Sequence, residues 1–266
     1  MNGIFQTVRY EYTQGNLKHL LVGAIESGFV KLLQIHRSIY WNVAPAYFRW
    51  RCSDDIFEYD CPPDPFKIEW INPSQITYKT GRANAFRNRR LQFGSVRSGD
   101  WDRDRERFEE TPLYQATKRH FEDNIPWEET EEIQQRIEAI EAGEWIRYSS
   151  GDELLDRYYR FDELYHKIKN EGYRSQSELL AETNGYSDGL YLDTLNEVTV
   201  DVGRDGELLY VDGFHRLAAA KLLNIEQIPV VFLTRHTEWM EYRQECCENI
   251  NKITDNPDLN DIASVN

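Results

Sequence analysis

Cysteine, methionine and lysine are scarce in this chain. Its 266 residues include four cysteines, two methionines and nine lysines. Cys52 and Cys61 stand apart, Cys246 and Cys247 are adjacent, and no C-x-x-C half-site is formed, so a structural zinc has no sequence support. The expectation is reduced thiols in a cytoplasmic protein. Long apolar runs are also lacking. The longest, Leu20–Ile35, is interrupted by Glu26 and Lys31, which excludes a membrane span there. The opening residues MNGIFQTVRYEYTQG lack the apolar core of a secretory leader. There is no G-x-x-x-x-G-K, no H-E-x-x-H and no G-x-G-x-x-G, so P-loop, zincin and Rossmann chemistry have no signature here.

Positive charge is in deficit too. Lys+Arg number 31 against 46 Asp+Glu, for a formal charge of −15. A general electrostatic grip on DNA is therefore not expected, because phosphate binding needs a positive surface. An acidic, lysine-poor chain fits the salt-rich cytoplasm of a halophile, and it also fits an ordinary acidic protein. The bases that are present are unevenly placed. Residues 1–51 carry a net +4, and residues 79–97 hold Lys79, Arg82, Arg87, Arg89, Arg90 and Arg97 with no acid, a net +6. With 40% hydrophobic residues, the chain can bury a core as one large domain or one domain with insertions.

Leu17–Ile35 has near-helical apolar spacing and reads as an amphipathic helix. The aromatic segment Tyr40–Tyr59 is irregular, and Cys61-Pro-Pro-Asp-Pro65 is a turn cluster that marks a boundary. Phe66–Ile71 alternates like a strand and Asn72-Pro73 ends it. Asp100–Ala142 is mostly helical, with Thr111-Pro112 as cap and first position and Gly143 as stop. Asp152–Asn170 is a further helix or helix pair, ended by Gly172. The period then changes. Glu197–Val202 and Glu207–Val211 alternate around the turn Gly203–Gly206, which predicts a hairpin. Phe214–Leu223 is an alanine-rich helix, Ile228–Leu233 a strand, Trp239–Ile250 a helix, and Thr254–Asn266 a frayed acidic tail.

The stretch that carries chemistry is Val211-Asp-Gly-Phe-His-Arg-Leu-Ala-Ala-Ala-Lys221. A strand runs into glycine and directly into a helix. Gly213 allows close approach of a ligand, the first helical amides are unpaired, and the helix dipole favours an anion there. His215 and Arg216 add donors at the same end. This is a sound phosphate cradle, and a tight turn with two surface polar residues is the plainer alternative.

The block Glu197–Leu233 resembles the ParB/sulfiredoxin superfamily in its order of hairpin, G-x-[HR]-R helix start and final strand introduced by Ile-Pro-Val. "KIEWINPSQI" and "FDELYHKIKNEGYRSQSEL" resemble earlier pieces of that family, so the likeness covers residues 66–78 and 160–234. Gln176-Ser177 stands where the family often has proline. The resemblance implies an α+β fold: a small mixed sheet of ParB/sulfiredoxin type, a large helical insertion over 79–150 and an N-terminal helical arm over 1–61. The domain itself would span 62–240 and an acidic tail 241–266. It implies a nucleotide (ATP, ADP or CTP) with Mg2+, its phosphates held by Gly213, Phe214, His215 and Arg216. Asp212 and His215 take the catalytic roles in phosphoryl transfer or hydrolysis. Sulfinate reduction needs a cysteine where this chain has Phe214, so that branch is excluded. A partition protein carries a helix-turn-helix domain after this block, and the short acidic stretch that follows here argues against sequence-specific DNA reading. The alternative is a non-catalytic module that contacts nucleic acid or protein through segments 1–51 and 79–97.

Other residues are candidates for a lid or supporting shell. Arg87, Arg89 and Arg90, with Phe86 and Phe93, would contact phosphates, or pair with the chain's many acids. Asp100 and Asp102 flank Trp101 and would bind a metal or act as a base, or cap the next helix. Ser175 and Gln176 belong to the loop facing the cradle. Arg87, Arg89, Arg90 or the Gly99–Asp102 turn is expected near Gly213, because both belong to the insertion that starts just after the first family-like strand. No firm metal ligand set is evident. His120 and His166 read as helix-face residues, and the oligomeric state is not legible.

Overall fold

The computed structural model describes residues 42–44, 46, 53–83, 85–86, 92–144, 148–182 and 195–263. The chain divides into two units, Met1–Trp50 and Arg51–Asn266. In the first, residues 42–44 and 46 are described and helical. The expected helix Leu17–Ile35 lies outside the described residues, as do Arg87, Arg89 and Arg90.

The second unit is organised around a hairpin and the strand that follows it. β4 (Val198–Val202) turns through Gly203–Gly206 into β5 (Leu208–Asp212), antiparallel, with Val202 opposite Leu208. Gly206 has φ +83°, and a Cβ there would lie 2.5 Å from the Trp239 ring, so the turn needs glycine for both conformation and space. β6 (Ile228–His236) lies parallel to β4 on its other side. Every residue of β4 and β6 is buried, as central strands covered on both faces must be. The complete order is β1-β6-β4-β5-β2, with β1 (Ile68–Ile71) antiparallel to β6 and β2 (Ile76–Lys79) parallel to β5. β3 (Ser95–Arg97) also pairs with β6, parallel, from Ser95 opposite Thr234 to Arg97 opposite His236. β1 and β3 share one edge of β6, because β4 occupies the other. The fold is thus α+β on a six-stranded mixed sheet.

The helices follow from their caps and apolar spacing. α1 (Ser53–Ile56) is a single turn. α2 (Pro112–Asp123) starts as expected, with the Thr111 hydroxyl accepting from the Tyr114 amide at 3.3 Å and Pro112 at the first position. α3 (Glu131–Glu141) is followed by Gly143 at φ +72°. α4 (Gly151–Glu171) buries Leu154, Tyr158, Phe161, Tyr165 and Ile168, one stripe at alternating four- and three-residue steps. α5 (Gln176–Glu182) opens on a capping box: the Glu178 amide donates to Ser175 Oγ, and Glu178 Oε2 accepts from the Ser175 amide at 2.7 Å. α6 (Phe214–Leu222) packs on α4, and α7 (Thr237–Glu248) follows β6 directly.

Four expectations are corrected. The insertion over 79–150 is not solely helical, because it supplies β3. The boundary between 240 and 241 falls inside α7. Residues 255–263 are not frayed: α8 (Asn260–Ala263) and the turn before it bury Leu259 and Ile262. Asp258 is fully buried, with its carboxylate on Arg235 and on the Trp239 indole N–H at 2.9 Å. Opposite charge and hydrogen bonds make that burial tolerable. Finally, Cys61 and Cys247 form a disulfide with Cα atoms 6.5 Å apart, so the cysteines are not all reduced; Cys246 is a free, buried thiol. No helix among the described residues is long and apolar enough to cross a membrane.

Candidate functional site

Asp212 is the last residue of β5, Gly213 turns the chain, and α6 begins at once. Gly213 has φ +94°, and a Cβ there would sit 3.0 Å from the Val198 Cα, so only glycine lets this turn lie against β4. Asp212 Oδ1 accepts from the Gly213 amide at 2.8 Å. No side chain caps α6, which leaves its first amides directed outward.

The turn forms part of a cleft of about 1060 Å³. Residues 212–216 all line it, so Asp212, Gly213, Phe214, His215 and Arg216 are brought together as expected. One wall is aromatic: Phe108 meets Tyr210 at 4.8 Å and Phe214 at 5.4 Å between ring centroids. One face of α4 also lines it, with Arg157, Tyr158, Arg160, Phe161 and Leu164. The His215 ring at the turn stacks on Phe161 of this face at 4.4 Å. Phe86, 54% exposed, stands at the rim. Gln176 also lines the cleft.

Arg216 does not reach freely into this space. Its guanidinium donates to Glu197 Oε2 at 2.9 Å and to the Asn196 carbonyl. Glu197, fully buried, also accepts from the Gln176 amide. Burial pushes the Glu197 carboxyl up to about 6, against the opposing pull of the Gln176 amide and Arg216. Arg216 is therefore first a counter-charge that fixes the start of α6 to β4. The Tyr173 hydroxyl is buried beside this pair with no hydrogen bond among the described residues, and burial holds its acidity well below that of an ordinary tyrosine.

Of the residues expected at the lid, Arg87, Arg89 and Arg90 lie outside the described residues and Gln176 lines the cleft. Lys79 and Arg82 line the cleft, but Lys79 pairs with Glu106 at 2.7 Å. Arg82 grips the buried Asp201 through Nε and Nη2, both at 2.8 Å. Asp100 and Asp102 do not come to the cradle. They bind Arg204 in the β4–β5 turn, at the end of the hairpin away from Gly213. Asp102 is 1% exposed; burial alone would raise its carboxyl, and the hydrogen bonds from Arg204 outweigh this and bring it down to about 2. Ser175 serves as the α5 cap and does not line the cleft. Phe93 is a core residue, packed edge-on against Phe66 at 5.6 Å. His120 stacks on the buried Trp127 at 4.0 Å as a packing residue, and His166 is exposed on α4.

Comparison with protein-family models, with curated proteins and with solved structures finds no match to this chain. The site is therefore read from its own chemistry. Two features escaped the sequence reading. One is the arginine-bearing face of α4, whose signal was the i, i+3 spacing of Arg157 and Arg160 beside the buried stripe. The other is Glu197, which looked like an ordinary residue at the start of a strand. The run Gly185-Tyr-Ser-Asp-Gly189, which spells G-x-S-x-G, lies outside the described residues. Among the described residues no three His, Cys, Asp or Glu side chains form a group able to hold a metal.

Proposed function

We propose that the protein binds the phosphates of a nucleotide at the turn Asp212–Arg216, in the manner of the ParB/sulfiredoxin-like fold that its motif resembles. The observation that carries this reading is the start of α6, which has no side-chain cap and opens into a cleft lined by both aromatic and cationic side chains. The start of a helix and its dipole suit phosphate oxygens, and Phe108, Tyr210 and Phe214 suit a base or sugar face. His215 is the donor side chain at the turn. Asp212 is the carboxylate that would meet a divalent cation carried in with the nucleotide, since such a cation commonly takes one or two protein carboxylates plus phosphate oxygens. The metal would neutralise charge in phosphoryl transfer or hydrolysis, with Asp212 and His215 as the residues placed to hold the acceptor.

The alternative, contact with nucleic acid through segment 79–97, draws no support from Lys79 and Arg82, which are bound to acids of this chain. Calorimetry with ATP, ADP and CTP, each with and without Mg2+, tests the reading. Saturable one-to-one binding of at least one nucleotide is expected. No heat and no thermal shift with any of them overturns it.

A further inference from the structure

Among the described residues six cations line the cleft: Lys79, Arg82, Arg136, Arg157, Arg160 and Arg216. Four of them are bound to carboxylates of the chain, on Glu106, Asp201, Glu132 and Glu197 respectively for Lys79, Arg82, Arg136 and Arg216. Arg157 and Arg160 are different. Both are exposed, and neither side chain makes an ion pair or hydrogen bond with another described residue. In a chain of charge −15 this is not for want of acids. Glu153 and Asp156 lie one turn before Arg157 and Arg160, and Glu163 lies three residues after Arg160, all at spacings where helix pairs form readily. Glu153 instead accepts from Ser149, at 2.7 Å from both its amide and its hydroxyl. None of these acids lines the cleft, so α4 turns two arginines into it and its acids elsewhere.

Placement ties this pair to the cradle. Phe161 follows Arg160 and lies one turn beyond Arg157, and it carries the stacked ring of His215. The two arginines are thus within about one helical turn of the residue that touches the α6 start. The guanidinium fork recognises planar or tetrahedral oxyanions bidentately, and two forks in a partly enclosed space favour a doubly charged group. The cleft volume of about 1060 Å³ is at the top of the range usual for small-molecule pockets, roughly 300–1,000 Å³.

We infer that Arg157 and Arg160 form a second anion subsite of the cleft, which grips a phosphoryl group separate from the one at the α6 turn. This rests on the cleft being the nucleotide site proposed above. The phosphoryl group is either the terminal part of the same polyphosphate or belongs to a second, phosphorylated small molecule; the chemistry at the arginines is the same.

The test compares the parent with R157Q/R160Q and R157K/R160K by calorimetry at low salt. The probes are pyrophosphate, MgATP, and inorganic phosphate added to protein saturated with a non-hydrolysable ATP analogue. Both positions are exposed, so melting temperatures should stay unchanged. R157Q/R160Q should lose about ten- to a hundredfold in pyrophosphate affinity, as expected for removal of charge-assisted contacts, and lysine should restore only part of it for lack of the fork. If the subsite holds the same ligand's terminal phosphates, MgATP affinity falls in parallel. If it holds a second molecule, MgATP affinity is unchanged and phosphate no longer binds the analogue-saturated variant. Equal affinities of parent and R157Q/R160Q for all three probes overturn the subsite while leaving the nucleotide reading intact. Pyrophosphate binding that depends on the arginines, with no nucleotide bound by the parent, does the reverse. Failure of the parent to bind any probe overturns both.

Discussion

At the scale of single residues, Glu197 and Arg216 decide how the candidate site should be probed. The sequence presents Arg216 as a phosphate ligand whose removal affects binding more than folding. In the fold, its loss would leave Glu197 buried and without its counter-charge. Breaking such a pair is expected to remove about 3–5 kcal/mol of stability, so R216A should lower the chemical-denaturation midpoint strongly; an unchanged midpoint would refute the structural role. Glu197 also gives a pH signature. Its carboxyl sits at about 6 in the folded chain against an ordinary 4.5. Below pH 4.5 the proton is bound in both states. As pH rises from there to about 6, only the unfolded chain releases it, and the folded state loses about 2 kcal/mol relative to its acid value. E197Q has no such proton. The stability difference between parent and E197Q should therefore move in favour of E197Q by that amount between pH 4 and 7, and a pH-independent difference would show that Glu197 is solvated. Asp102 behaves in the opposite sense. Its carboxyl lies near 2, so its contribution is complete above pH 3.8 and is lost as pH falls toward 2. D102N should destabilise the β4–β5 turn by about 3 kcal/mol and leave ligand affinity unchanged, because the turn is at the other end of the hairpin. A fall in nucleotide affinity with D102N, measured by calorimetry, would return the Asp100–Asp102 loop to the site.

At the scale of elements, the tightest prediction concerns the C-terminal segment. Asp258 holds Arg235 of β6 and the indole of Trp239 in α7, while Leu259 and Ile262 enter the core. D258A would leave a fully buried guanidinium without its counter-charge and should cost about 3–5 kcal/mol, read as a denaturation midpoint far below that of an exposed control such as D255A. Equal midpoints would mean the segment is as loose as its composition suggests. That composition is why it escaped sequence reading. Asp255, Asp258 and Asp261 look like a solvated acidic run, and nothing local reveals that Arg235, on a strand read only to Leu233, requires one of them. The hairpin, the α6 start, the Thr111 cap and the Gly172 stop were legible because each is set by local chemistry: alternation, glycine, a hydroxyl before proline. β3 was not, because three residues are too short to show a period and Ser95–Arg97 becomes a strand only through β6. The site divides in the same way. Residues 212–216 are contiguous and were found, whereas the i, i+3 spacing of Arg157 and Arg160 marks a helix face without saying what it faces, and the pairing of Glu197 with Arg216 is a tertiary contact.

At the scale of the whole molecule, the Cys61–Cys247 bridge links the start of the second unit to the end of α7, across 186 residues. Arg243, one turn before Cys247 on α7, reinforces that junction by donating to the Cys61 carbonyl at 3.0 Å. A cross-link over so long a loop removes much of the freedom of the unfolded chain. The chain-entropy relation for a loop of this length gives about 5 kcal/mol, a figure that residual structure in the unfolded state reduces. The neighbouring Cys246 is a test of pairing as well as of stability, because it is buried and free, and only one of the two adjacent thiols can face Cys61. C247S should therefore lose both the bridge and the added stability, with Cys246 unable to substitute without turning α7 about its axis. Under non-reducing conditions the parent should show a higher denaturant midpoint than the same protein in reductant. C61S and C247S should match the reduced parent in either condition, and C246S should keep the full difference between oxidised and reduced forms. Thiol titration of the denatured, unreduced parent should accordingly find two fewer free thiols than after reduction. If all four thiols titrate without reduction, or if reductant leaves the midpoint where it was, the bridge does not form, and the C-terminal segment is held by its non-covalent contacts, among them those of Arg235, Arg243 and Lys67.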